Sequence, residues 1–110
     1  MGPIRIIRND DIEKVLIGAP KGHKHLRVCI KLKDNSAMIF QEATIANILR
    51  AYVTIETHPK IKAQELNMDV LSETSQKQGY ALHQLLETSR SQEEIEEELT
   101  QFLAKSTWDV

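Results

Sequence analysis

The sequence predicts an α+β fold: a small antiparallel sheet of three to four strands from the N-terminal half, covered by three to four helices from the C-terminal half. Three observations carry it. Leu26, Val28, Ile30 and Leu32 alternate with Arg27, Cys29, Lys31 and Lys33, the period-two pattern of a strand with one apolar face. Ile45, Ile48, Leu49, Tyr52 and Ile55 recur at helical spacing before Pro59. Ser91 and Glu94 have capping-box spacing, followed by Ile95, Leu99, Phe102 and Leu103.

Taken in order, Ile4 to Arg8 reads as a short strand ended by Asn9, Asp10 and Asp11. Ile12 to Ile17 is ambiguous. Asp10 and Glu13 could cap a short helix, but the stretch is too brief for a free-standing one, and Val15, Leu16 and Ile17 before Gly18 favour a strand. Gly18, Pro20 and Gly22 lead into the alternating strand, and Asp34, Asn35 and Ser36 form a turn before Ala37 to Gln41. Two hairpin registers are compatible with that turn. One aligns Ile30 with Ile39; the other aligns Ile30 with Phe40 and Leu32 with Met38.

The helix after residue 41 is stopped by Pro59, which disfavours helical geometry in His58. Lys60 to Asn67 reads as a short helix, with Met68, Val70 and Leu71 connecting. Ser75 and Gln78 offer a capping box for a helix carrying Leu82, Leu85 and Leu86 to about Thr88. The final helix runs from Gln92 to Lys105. No repeat or long linker divides the chain, so residues 1–110 read as one domain, with 1–41 mainly strands, 42–106 mainly helices and 107–110 a tail.

The composition, 41% hydrophobic and 27% charged, is that of a globular protein with a modest core. No run is long enough to span a membrane, and the opening residues lack the layout of a secretion signal, so the expectation is a cytoplasmic protein with no membrane association. The single Cys29 cannot form an internal disulfide, in keeping with a reducing compartment. Charge is unevenly divided. Residues 1–33 hold eight Lys or Arg against three acidic residues, and residues 34–110 hold six against thirteen.

This asymmetry sets the functional expectation: a non-catalytic interaction protein that self-associates, with a dimer favoured. The basic strand surface would meet an acidic helix carrying Glu94, Glu97 and Glu98, with Trp108 as an apolar anchor. Acidic residues in the first turns also suit the helix dipole, which is a purely structural account of part of the cluster. The alternative is nucleic-acid binding through Lys21, Lys24, Arg27, Lys31 and Lys33. The absence of aromatic residues interleaved with those cations weighs against it.

A metal site built from His23, His25 and Cys29 is conceivable if that segment is extended, but it lacks an evident fourth ligand. Arg27 and Lys31 beside Cys29 would favour its thiolate. No phosphate loop, nucleophile elbow, dinucleotide fingerprint or Cys-x-x-Cys pair is present, so no cofactor and no catalytic residue are assigned.

Overall fold

A computed structural model describes residues 2–70 and 83–106. The elements are β1 (Ile12–Gly18), β2 (Arg27–Leu32), β3 (Ala37–Gln41), α1 (Glu42–Thr57), β4 (Leu66–Val70), β5 (His83–Glu87) and α2 (Gln92–Lys105). β1, β2 and β3 form an antiparallel sheet in that order, and β4 and β5 form a separate antiparallel pair. The fold is therefore α+β, with two helices among the described residues rather than three or four.

Ile12 to Gly18 is a strand, interrupted at its start by a bulge. Ile12 pairs with Leu32 and Lys14 with Lys31, so Glu13 is the extra residue. Without it, strand alternation would send Ile12 to the face opposite Val15 and Ile17. With it, Ile12 joins them beside Leu32 on the inner face. Glu13 is then placed to meet Lys31, its carboxylate 2.9 Å from the ammonium. Two directly opposed lysines, Lys14 and Lys31, are thereby relieved of part of their repulsion.

The β2–β3 hairpin adopts neither expected register. Ile30 pairs with Met38, Cys29 with Ile39 and Val28 with Phe40. Lys33, Asp34 and Asn35 form a three-residue loop in which the Asn35 amide donates to the Leu32 carbonyl and Asn35 sits at φ 73°. Asparagine tolerates that left-handed conformation, which ends a tight turn and returns the chain one residue earlier than expected. Lys33 consequently lies in the turn, not on the strand. Asp34 accepts from the Ser36 amide and hydroxyl and lies 3.5 Å from the Arg5 guanidinium. Ile4 to Arg8 is irregular rather than a strand, and a 3-10 turn at Asn9–Asp11 leads into β1.

The hydrogen bond and charge of Lys31, with Lys14 adding to them, hold the Glu13 carboxyl below its usual range. The Ser36 side chain and amide, with Arg5, do the same for Asp34. A carboxyl whose folded pKa is depressed adds stability above its unfolded pKa and loses it as pH falls through the folded value. The first sheet is expected to loosen as pH falls below about 4. Asp34→Asn should flatten that acid limb in circular-dichroism titrations, and an unchanged limb would remove the turn from this account.

α1 ends at Thr57 before Pro59, the His58 amide donating to the Thr54 carbonyl at 2.9 Å. The helix packs on β2, β3 and β5, but its buried side is not the apolar stripe. Asn47 is its buried residue, while Ile48, Leu49 and Tyr52 are exposed and Ile45 and Ile55 are half-buried. The Asn47 side-chain amide donates to Gln84 Oε1 at 2.8 Å, and Arg50 reaches Asn47 Oδ1 at 3.4 Å. Contact with β5 thus turns a polar position inward.

The segment from 60 to 67 is not helical: 61–65 is irregular and β4 begins at Leu66. Leu85 and Leu86 lie in a strand, not a helix, because 83–87 finds a partner in 66–70, with Met68 opposite Leu85. The Ser75 and Gln78 capping box and Leu82 lie outside the described residues. α2 begins and ends where its periodicity predicts, with Ser91 Oγ accepting from the Glu94 amide at 3.2 Å. Its apolar positions diverge in burial. Ile95 is buried, and Leu99, Phe102 and Leu103 are exposed.

Among the described residues the buried apolar side chains are Val28, Leu32, Ala63 and Ile95. Val28 and Leu32 lie on the inner face of the first sheet; Ala63 and Ile95 lie where the 61–65 segment meets the root of α2.

Candidate interaction surface

The registers of the first sheet sort its side chains into two faces. Val15, Ile17, Val28, Ile30, Met38 and Phe40 share the inner face. On the outer face Leu16, Cys29 and Ile39 fall in one row across all three strands. A second row holds Lys14, Lys31 and Ala37, and a third holds Gly18, Arg27 and Gln41. An aliphatic row is therefore bordered by basic rows about 7 Å away on either side, two residues along each strand.

The aliphatic row is open. Leu16 is 58% and Ile39 69% exposed, with Cys29 half-buried between them. Large apolar side chains on an outer sheet face, rimmed by charge, have the composition of a contact surface. The row depends on the register of all three strands, which alternation within a single strand does not specify.

The five candidate cations do not converge. Lys21 and Lys24 lie in the β1–β2 loop at one end of the sheet and Lys33 in the turn at the other. Arg27 donates to the carbonyls of His25 and Leu26, and Lys31 is paired with Glu13. Nor do His23, His25 and Cys29 converge. His23 closes a turn whose Gly22 is at φ 79°, its amide donating to the Pro20 carbonyl, and the His25 ring lies 3.3 Å from Glu42 at the start of α1. Cys29 is on the sheet. Among the described residues no three His, Cys, Asp or Glu side chains are placed to hold a metal ion, and no helix is long and apolar enough to cross a membrane.

The acidic helix divides along its length. At its root, Arg90 lies 2.6 Å from Glu65, 3.7 Å from Glu94 and 3.4 Å from Glu98, and the hydrogen bond and charge of Glu65, with Glu98 adding to them, raise the pKa of the guanidinium further. Gln92 donates to the Lys60 carbonyl and accepts from the Lys62 amide. Glu94 and Glu98 are thus engaged within the chain, and Gln101 reaches Glu97 at 3.4 Å. Beyond the root, Leu99, Phe102 and Leu103 form an exposed apolar stripe with Glu96 on its flank at helical spacing. Trp108 lies outside the described residues.

No family model matches the chain, and neither a curated protein nor a solved structure is similar to it.

Proposed function

We propose that the protein is a non-catalytic, self-associating interaction module in which the outer sheet face of one copy receives α2 of another. The observation that carries this is the exposed Leu16–Cys29–Ile39 row between basic rows, matched by the exposed Leu99, Phe102 and Leu103 stripe on an acidic helix. The dimensions agree. The row crosses two strand spacings, roughly 10 Å, and the stripe rises about 6 Å along the axis with phenylalanine extending its reach. A helix about 10 Å wide laid along the row carries Glu96, on the flank of the stripe, toward one of the basic rows.

Half-exposed leucine and phenylalanine side chains each contribute about 1 kcal/mol when the remaining surface is covered. Set against the cost of association, that gives a contact of micromolar rather than nanomolar strength. Rim charges speed and orient docking and make it salt-dependent.

Sedimentation should show association that weakens about tenfold or more between roughly 50 and 500 mM salt. Phe102→Asp on the helix and Ile39→Glu on the sheet should each abolish the salt-dependent component without changing the far-ultraviolet spectrum, since both side chains are substantially exposed. An assembly state insensitive to salt and to both substitutions would overturn the reading.

A further inference from the structure

β1 is an edge of its sheet: one side pairs with β2, and among the described residues no strand pairs with the other. Natural edges are usually interrupted by charge, proline or a bulge to prevent pairing with another chain. Here the Glu13 bulge and Lys14 guard the start of β1, and Pro20 lies beyond its end. Between them Val15, Leu16 and Ile17 are 45%, 58% and 69% exposed, on both faces of the strand. Gly18 adds a second observation. Its φ is not in the left-handed region, and among the described residues a Cβ there would meet nothing within 4 Å, so neither backbone conformation nor crowding by those residues calls for glycine. Strand glycines often mark the close approach of another chain.

We propose that β1 pairs antiparallel with β1 of a second copy about a two-fold axis at Leu16, joining two three-stranded sheets into one of six strands. In this register Leu16 lies opposite Leu16 of the second copy, Val15 opposite its Ile17, and Lys14 opposite its Gly18. The inner-face pairs are all aliphatic, and the bare glycine leaves room for the lysine stem. The two Lys14 residues are four steps apart along the strand, about 13 Å, beyond the screening length of about 8 Å at physiological salt.

Other registers fit less well. A slip of one residue sets inner-face side chains of one copy beside outer-face side chains of the other. Centring on Val15 places Glu13 opposite Ile17 and Lys14 opposite Leu16. Centring on Ile17 places Leu16 opposite Gly18 and sets Lys14 opposite Pro20, which has no amide to donate.

The pairing has a consequence on the outer face, where the two Leu16–Cys29–Ile39 rows become one stripe of six residues with Leu16 of each copy at its centre. It is a contact distinct from the docking of α2, made of backbone hydrogen bonds and aliphatic surface. One strand edge covers less than the roughly 800 Å² per partner of a standard stable interface, so dissociation is expected in the micromolar range.

Single cysteines in a Cys29→Ser background test the register under mild oxidation at high protein concentration. Leu16→Cys should give a disulfide-linked dimer. Val15→Cys alone and Ile17→Cys alone should not, whereas their mixture should cross-link. Equal cross-linking by all three single variants would overturn the register. Sedimentation at about 500 mM salt, where α2 docking is suppressed, tests the contact itself. Wild type and Phe102→Asp should both dimerise there and Leu16→Lys should be monomeric with an unchanged spectrum. A wild-type monomer at high concentration in that salt would overturn the pairing while leaving salt-dependent α2 docking to stand or fall on its own test.

Discussion

Leu32→Ala is expected to cost about 3 kcal/mol, within the usual range of about 2–5 for a buried leucine truncated to alanine. Leu32 is 2% exposed, the most enclosed of the few apolar side chains that the described residues bury. It lies opposite Ile12 through the Glu13 bulge, and its amide donates to the Ser36 carbonyl at 2.9 Å as the hairpin closes. A chain of this length is stabilised by only about 5–15 kcal/mol, so this single truncation removes a large share. Urea unfolding followed by circular dichroism measures it, with Leu16→Ala as the exposed control, expected within about 0.5 kcal/mol of wild type at protein concentrations where the chain is monomeric. A loss at Leu32 no larger than the control's would show that the inner sheet face is not the core.

Asn47→Ala should destabilise the protein by about 2 kcal/mol, lowering Tm by roughly 10 °C. Asn47 is 9% exposed and links α1 to β5 through Gln84. Truncation leaves a polar cavity between the helix and the second strand pair and deprives Arg50 of an acceptor. The loss should be local before it is global. Amide exchange in β5 and the middle of α1 should accelerate more than exchange in β2. Uniform acceleration would mean that the strand pair and the first sheet unfold together and that Asn47 is not a local junction.

The same residue explains what sequence periodicity could and could not reveal. Strict alternation from Leu26 to Leu32 has a period that admits one structure, and Ser91 with Glu94 marks a helix start by its own hydrogen bonds, so β2 and α2 were legible to within a residue. α1 was legible as a helix, but the stripe of Ile48, Leu49 and Tyr52 gave no information about which neighbour would arrive. β5 brought Gln84, and its half-buried amide, bonded to the buried Asn47, accompanies a different rotation of the helix. Leu85 and Leu86, adjacent and without a period, suit a helix or a strand equally until Met68 is placed opposite.

The outer face was only half legible. Alternation set Cys29 with Arg27 and Lys31, but the row through Leu16 and Ile39 depends on the Glu13 bulge and on Asn35 taking φ 73°, two backbone events that periodicity does not encode.

α2 is held at its root by Arg90, Gln92 and Ile95, and the side chains that would meet a partner lie further out. Mechanically it is a cantilever. From Ile95 to Lys105 the beam is about 15 Å long, so a tilt of about 10° at the clamp swings the tip by roughly 2.6 Å and Leu103 by about 2 Å. For the proposed docking of α2, small changes in the geometry of one arginine among three carboxylates are thereby magnified into whether two molecules fit.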